Sequence, residues 1–68
     1  METFVAYIKF GSYSDKDTSI VYCGTDYEIA FIKCSQDGAS LSTTYGNVYG
    51  FIETWKNNQL FKTKELEF

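Results

Sequence analysis

The stretch that most constrains this chain is "NVYGFIETW-KNNQ-LFKTKELEF", residues 47–68. Two runs rich in aromatic and β-branched residues flank a pair of asparagines. Asn tolerates positive φ better than any residue but Gly. A two-residue loop at Asn57-Asn58 therefore predicts a type I′ β-hairpin. That turn sets a register in which Trp55 faces Leu60, Glu53 faces Lys62, Phe51 faces Lys64 and Tyr49 faces Leu66. A Glu53–Lys62 charge pair supports this register by a few tenths of a kcal/mol, roughly. Tyr49, Phe51, Trp55, Leu60, Leu66 and Phe68 then share one face, and Val48, Ile52 and Phe61 the other. A hairpin apolar on both faces leaves some of these side chains in the open.

The chain ahead of the hairpin divides at its turn residues. "TFVAYIKF" alternates Phe4, Ala6, Ile8 and Phe10 against Thr3, Val5, Tyr7 and Lys9, which reads as a strand. "GSYSDKDTS" is polar and aperiodic, a loop of about nine residues. "SIVYC" resumes the strand pattern and is expected to pair antiparallel with the first. In "YCGTDYEIAFIKC", Thr25 and Glu28 form a Thr-x-x-Glu capping box, with Asp26 favoured by the helix dipole. Gly38 stands where a helix stop is expected. Tyr27, Ala30, Phe31 and Cys34 fall on one helical face, and Ile29 and Ile32 point away from it. The pattern predicts a helix over 26–36. The alternative is that this segment, rich in Ile, Phe and Tyr, forms a strand of an all-β meander. The expected fold is α+β: one domain over residues 1–68, about four mainly antiparallel strands, and one helix packed on one sheet face.

Composition narrows the chemistry. One Trp, six Tyr and six Phe in 68 residues suit a small core, since each ring can bury ~150–250 Å². Nine acidic side chains stand against six basic ones, all six lysine, for a net charge of −3. Arginine, the favoured residue for phosphate and base-edge contacts, is absent, which argues against direct nucleic-acid binding. No apolar run approaches the ~20 residues of a membrane span. "METFVAYIKF" carries Glu2 and lacks a basic region and a cleavage site, so it is not read as a secretory signal. The expected compartment is the cytoplasm, where thiols stay reduced.

The chain has no histidine, so Ser–His and Cys–His nucleophile arrangements are excluded. No phosphate loop or dinucleotide fingerprint occurs. Cys23 and Cys34, with ten residues between them, fall short of a zinc site, and on either reading of the segment they stay too far apart for a disulfide. Asp15 and Asp17, with Ser12, Ser14 and Thr18, lack the central Gly and closing Glu of a calcium loop. No cofactor, metal or catalytic residue is expected, and the chain reads as a non-enzymatic protein.

What remains is surface. Tyr13, Asp15, Asp17, Tyr49 and Trp55 are the candidate partner-binding residues, with aromatics as anchors and acids to steer a basic partner. Self-association, through the edge strand that ends in "KELEF" or through an uncovered sheet face, is the alternative, so a monomer or a homodimer is expected. In size, acidity and order of elements, the pieces "AYIKF", "SIVYCGTDYEIAFIKC" and "YGFIETWKNNQLFKTKELEF" resemble small phage-encoded anti-defence proteins, anti-CRISPR inhibitors among them. That resemblance implies an inhibitor that occupies the surface of a host protein, such as a nucleic-acid-processing defence enzyme in the host cytoplasm.

Overall fold

The structure is a computed structural model that describes residues 1–11 and 16–68, Lys16 by its backbone alone. Its elements run β1 (Glu2–Gly11), β2 (Lys16–Gly24), α1 (Tyr27–Ser42), β3 (Tyr49–Lys56) and β4 (Gln59–Glu67). The strands form one antiparallel sheet in the order β2-β1-β3-β4. The helix lies over β1, β2 and β3. The fold is α+β, as the patterning predicts, and Tyr27–Lys33 is helix, not meander strand.

Strand alternation decides what the helix covers. β1 turns Ala6 and Ile8 to it, and β3 turns Gly50, Ile52 and Thr54; all five are buried. The buried side of α1 is Ala30, Cys34 and Gly38, an i, i+4, i+8 line. The expected face included Tyr27 and Phe31, but these remain 36% and 39% exposed. The three small residues, rather than the rings, let the helix sit close to the sheet. A Cβ on Gly50 would fall 2.7 Å from the Cys34 Sγ, so only glycine fits there.

Aromatic side chains close the rim of this core. Phe4 meets Tyr27 edge-on at 5.3 Å, and Phe10 meets Tyr45 at 5.1 Å. The Phe68 ring lies over Gly38 and Gly50. In β2 the register slips beside Ala6 and Tyr7, leaving Val21 as an extra residue. This bulge turns two successive side chains, Val21 and Tyr22, against the core.

Three further expectations need correction. The helix cap is Asp26, not Thr25: its Oδ1 accepts from the Ile29 N–H at 3.2 Å, and its backbone carbonyl accepts from the Ala30 N–H at 3.1 Å. The Asp26 N–H donates to the Tyr22 hydroxyl at 3.1 Å and the third residue after the cap is Ile29, so the expected reciprocal pair with Glu28 does not form and Tyr22 takes the role of its carboxylate. The helix also passes through Gly38 and ends at Ser42. Gly38 costs about 1 kcal/mol of helix propensity, offset by the Phe68 ring that packs where a side chain would stand. The helix stops where Ser42 and Thr43 hydroxyls donate to the Ala39 and Ser40 carbonyls, each at 2.8 Å, a local competition that favours helix ends.

The third correction is to the hairpin. Asn57 and Asn58 have φ of 51° and 63°, as a type I′ turn requires, and Trp55 does face Leu60. Beyond that pair Phe61 is an extra residue, so Lys62 faces Thr54, Thr63 faces Glu53, Glu65 faces Phe51 and Glu67 faces Tyr49. One surplus residue in a period-two element inverts everything after it. Leu66 therefore joins Gly50 on the helix side. The Glu53–Lys62 pair does not form.

Candidate functional site: the open face of the sheet

The sheet face opposite α1 is covered by no element among the described residues. β1 contributes Thr3, Val5, Tyr7 and Lys9; β3 contributes Tyr49, Phe51, Glu53 and Trp55. On the outer strands, Ile20 and Cys23 belong to the same face, as do Leu60, Thr63, Glu65 and Glu67.

The adjacency of β1 and β3 builds an aromatic platform at its centre. Tyr7 and Phe51 face each other in the register, and their rings stack at 5.2 Å with 20° between planes. The Lys9 ammonium stands 5.7 Å from the Phe51 ring centre, within cation–π range. Glu53 then ties the platform to Trp55. Its carboxylate accepts from the Trp55 Nε1–H at 3.1 Å and from the Tyr7 hydroxyl at 3.3 Å. The Tyr7 phenol is held above its ordinary pKa of 10.0, first by partial burial, then by the charge of Glu53 and its hydrogen bond. The phenol thus stays protonated at neutral pH and keeps donating. Past Trp55 the face ends in a shallow hollow between Met1, Thr3, Val5, Asn57 and Asn58.

The charge on this face is unequal. Glu53, Glu65 and Glu67 stand against Lys9 among the described residues. The inverted end of β4 puts Lys62 and Lys64 on the helix side instead.

Of the five sequence candidates, Tyr49 and Trp55 are half-buried on this face. Asp17 is exposed on β2, paired with Phe10 and so on the helix side. Tyr13 and Asp15 lie outside the described residues. The structure brings together Tyr7, Phe51 and Glu53, which the sequence reading did not group. Tyr7 was legible as an outward residue of the first strand; what the sequence lacked was the pairing of β1 with β3.

Other chemistry is sparse. Cys23 is an exposed free thiol and Cys34 a buried one. The Cys34 thiol points to the Tyr7 carbonyl at 3.9 Å, and burial raises its pKa. Among the described residues, no three His, Cys, Asp or Glu side chains group as a metal site, and no helix is long and apolar enough to cross a membrane. Comparison with protein families, curated proteins and solved structures finds no match to this chain.

Proposed function

We propose that this chain is a non-enzymatic protein-binding module that inhibits or modulates a partner by occupying its surface through the open sheet face. The observation that carries this reading is the Glu53 carboxylate between Trp55 and Tyr7. Two of the side chains most favoured as interface anchors are locked in place on an uncovered face. Rotamers fixed before binding cost less to immobilise on binding. The surrounding acids suit a partner with a basic surface, whose approach they would speed and orient. Enzymes that process nucleic acids carry such surfaces, and a host defence enzyme of that kind is the partner class the reading favours.

The test uses tagged protein and its Trp55→Ala variant, with the variant's fold checked by its amide spectrum. A partner held by the wild type should be held about thirtyfold or more weaker by the variant, the mark of an anchor worth ~2 kcal/mol. Its association rate should fall as salt rises. Equal retention by the folded variant would sink the reading. Self-association through the same uncovered aromatic face is the second reading. Light scattering at high protein concentration separates them, since a stable dimer abolished by Trp55→Ala favours self-association.

A further inference from the structure

The outer edge of β4 is an open strand edge beside the aromatic platform. β4 pairs with β3 on one side and has no strand on the other among the described residues. Such an edge offers a row of backbone donors and acceptors to an added strand. From Lys62 to Glu67 the side chains alternate between faces, and the charges sort with them. Lys62 and Lys64, opposite Thr54 and Ile52, stand on the helix side. Glu65 and Glu67, opposite Phe51 and Tyr49, stand on the open side. All four are exposed.

This layout disfavours a second copy joined antiparallel by the same edge. Two identical sheets joined antiparallel along the same edge are related by a two-fold axis perpendicular to the sheet, so each face continues into the same face. Residues directly opposite one another then come from the same face. An axis at Lys62, Lys64, Glu65 or Glu67 sets that charge against itself. An axis at Thr63 sets Lys62 against Lys64, and one at Leu66 sets Glu65 against Glu67. Every such register along this stretch opposes like charges, which destabilises a strand pair.

A separate extended segment is free of that restriction, because it can present either of its own edges. We propose that the β4 edge accepts an extended, antiparallel segment with the order basic-x-basic-acidic-x-acidic. Its two basic residues would face Glu67 and Glu65, and its two acids Lys64 and Lys62. All four cross-strand pairs are then attractive. Residues 62–67 of this chain, Lys-Thr-Lys-Glu-Leu-Glu, have this order themselves. The strand can therefore be matched by its own sequence as a free peptide, whereas the same edge of a folded copy, joined antiparallel, sets like charges opposite one another.

The test uses two octapeptides of equal composition. The first is Phe-Lys-Thr-Lys-Glu-Leu-Glu-Phe, the sequence of residues 61–68. The second exchanges its central Lys and Glu, giving Phe-Lys-Thr-Glu-Lys-Leu-Glu-Phe. In the second, two of the four antiparallel pairs turn repulsive, and a parallel in-register alignment also leaves two repulsive pairs. Each is titrated into the labelled folded protein, below the concentration at which the peptide itself associates, and amide shifts are followed. The first should move the amides of Lys62–Glu67 and bind about tenfold or more tighter than the second. The double variant Lys64→Glu with Glu65→Lys should reverse that preference, and Trp55→Ala should leave it unchanged. The proposal fails if both peptides bind the wild type alike, if the shifts lie away from β4, if the folded double variant keeps the wild-type preference, or if the folded protein dimerises with its β4 amides newly protected from exchange.

Discussion

The two faces of the sheet use side-chain size in opposite ways. On the helix side the buried residues are Ala6, Ile8, Ala30, Cys34, Gly38, Gly50 and Ile52 with Val48 and Thr54, mostly small. On the open side stand Tyr7, Tyr49, Phe51 and Trp55, half-exposed. A chain of 68 residues has little apolar surface to spare, yet it does not place its largest central rings in its core. Stability rests on close approach between helix and sheet, while the rings are held by one carboxylate and by each other. The difference predicts that the two faces answer mutation differently: the helix side through folding, the open side through binding.

The sharpest way to break that contrast is truncation on each face. Ile52→Ala, at a residue 1% exposed, should lower unfolding free energy by about 2–5 kcal/mol, read in a urea titration. Phe51→Ala, its neighbour on the other face, removes a larger side chain and should cost less than half of that. Equal losses would mean that the open face is part of the folding core. Overpacking is the next largest effect. Gly50→Ala places a Cβ against the Cys34 Sγ and the Phe68 ring and should cost roughly 1–3 kcal/mol. Here Cys34→Ala in the same chain should recover part of the loss, and no recovery would place the strain elsewhere.

Titration gives a smaller and more specific contrast, because among the described residues each face holds one group with a raised pKa. The Cys34 thiol is raised above 9.0, chiefly by burial with the Asp37 charge adding to it; the Tyr7 phenol is raised above 10.0. A folded-state pKa above the unfolded value gives stability that is complete below the unfolded value and is lost as pH rises through the folded one. Stability should therefore hold steady up to about pH 9 and then decline. Cys34→Ala should delay the onset of that decline towards pH 10; an unchanged onset would show that the thiol is not its source. The smallest effect is confined to the open face. Glu53→Gln keeps an acceptor for Trp55 but removes the charge beside Tyr7. The phenol should then titrate closer to 10.0 in an ultraviolet absorbance titration, with little change in stability.

How much of this was legible beforehand follows from the range of each interaction. The strands, the helix and the Asn57-Asn58 turn are written in neighbouring residues, through alternation, a capping pattern and tolerance of positive φ, and they appear near those signals, with the helix capped at Asp26 instead of Thr25 and running on to Ser42. Gly38 misled because a glycine that stops a helix and a glycine that admits the Phe68 ring look alike along the chain. The surplus Phe61 left no mark, since Leu60, Phe61 and Lys62 fit a strand with or without a bulge. The platform of Tyr7, Phe51, Glu53 and Trp55 was half legible: β3 supplied three of its members in plain alternation, but nothing local says that β1 lies beside them.

The bulge at Phe61 also bears on how this chain can change length over generations. Removing Phe61 would leave Lys62 opposite Thr54 and every later pair unaltered, at the cost of the Lys56 ammonium 4.2 Å above its ring. Removing Thr63 instead could be absorbed by straightening the bulge, so that Lys64–Glu67 keep their partners and Phe68 keeps its seat on Gly38 and Gly50. An insertion meets no such slack: it would have to widen the bulge or push the final ring off its glycines. β4 therefore holds one spare link, and descendants of this chain are expected to shorten this strand by a single residue more readily than they lengthen it.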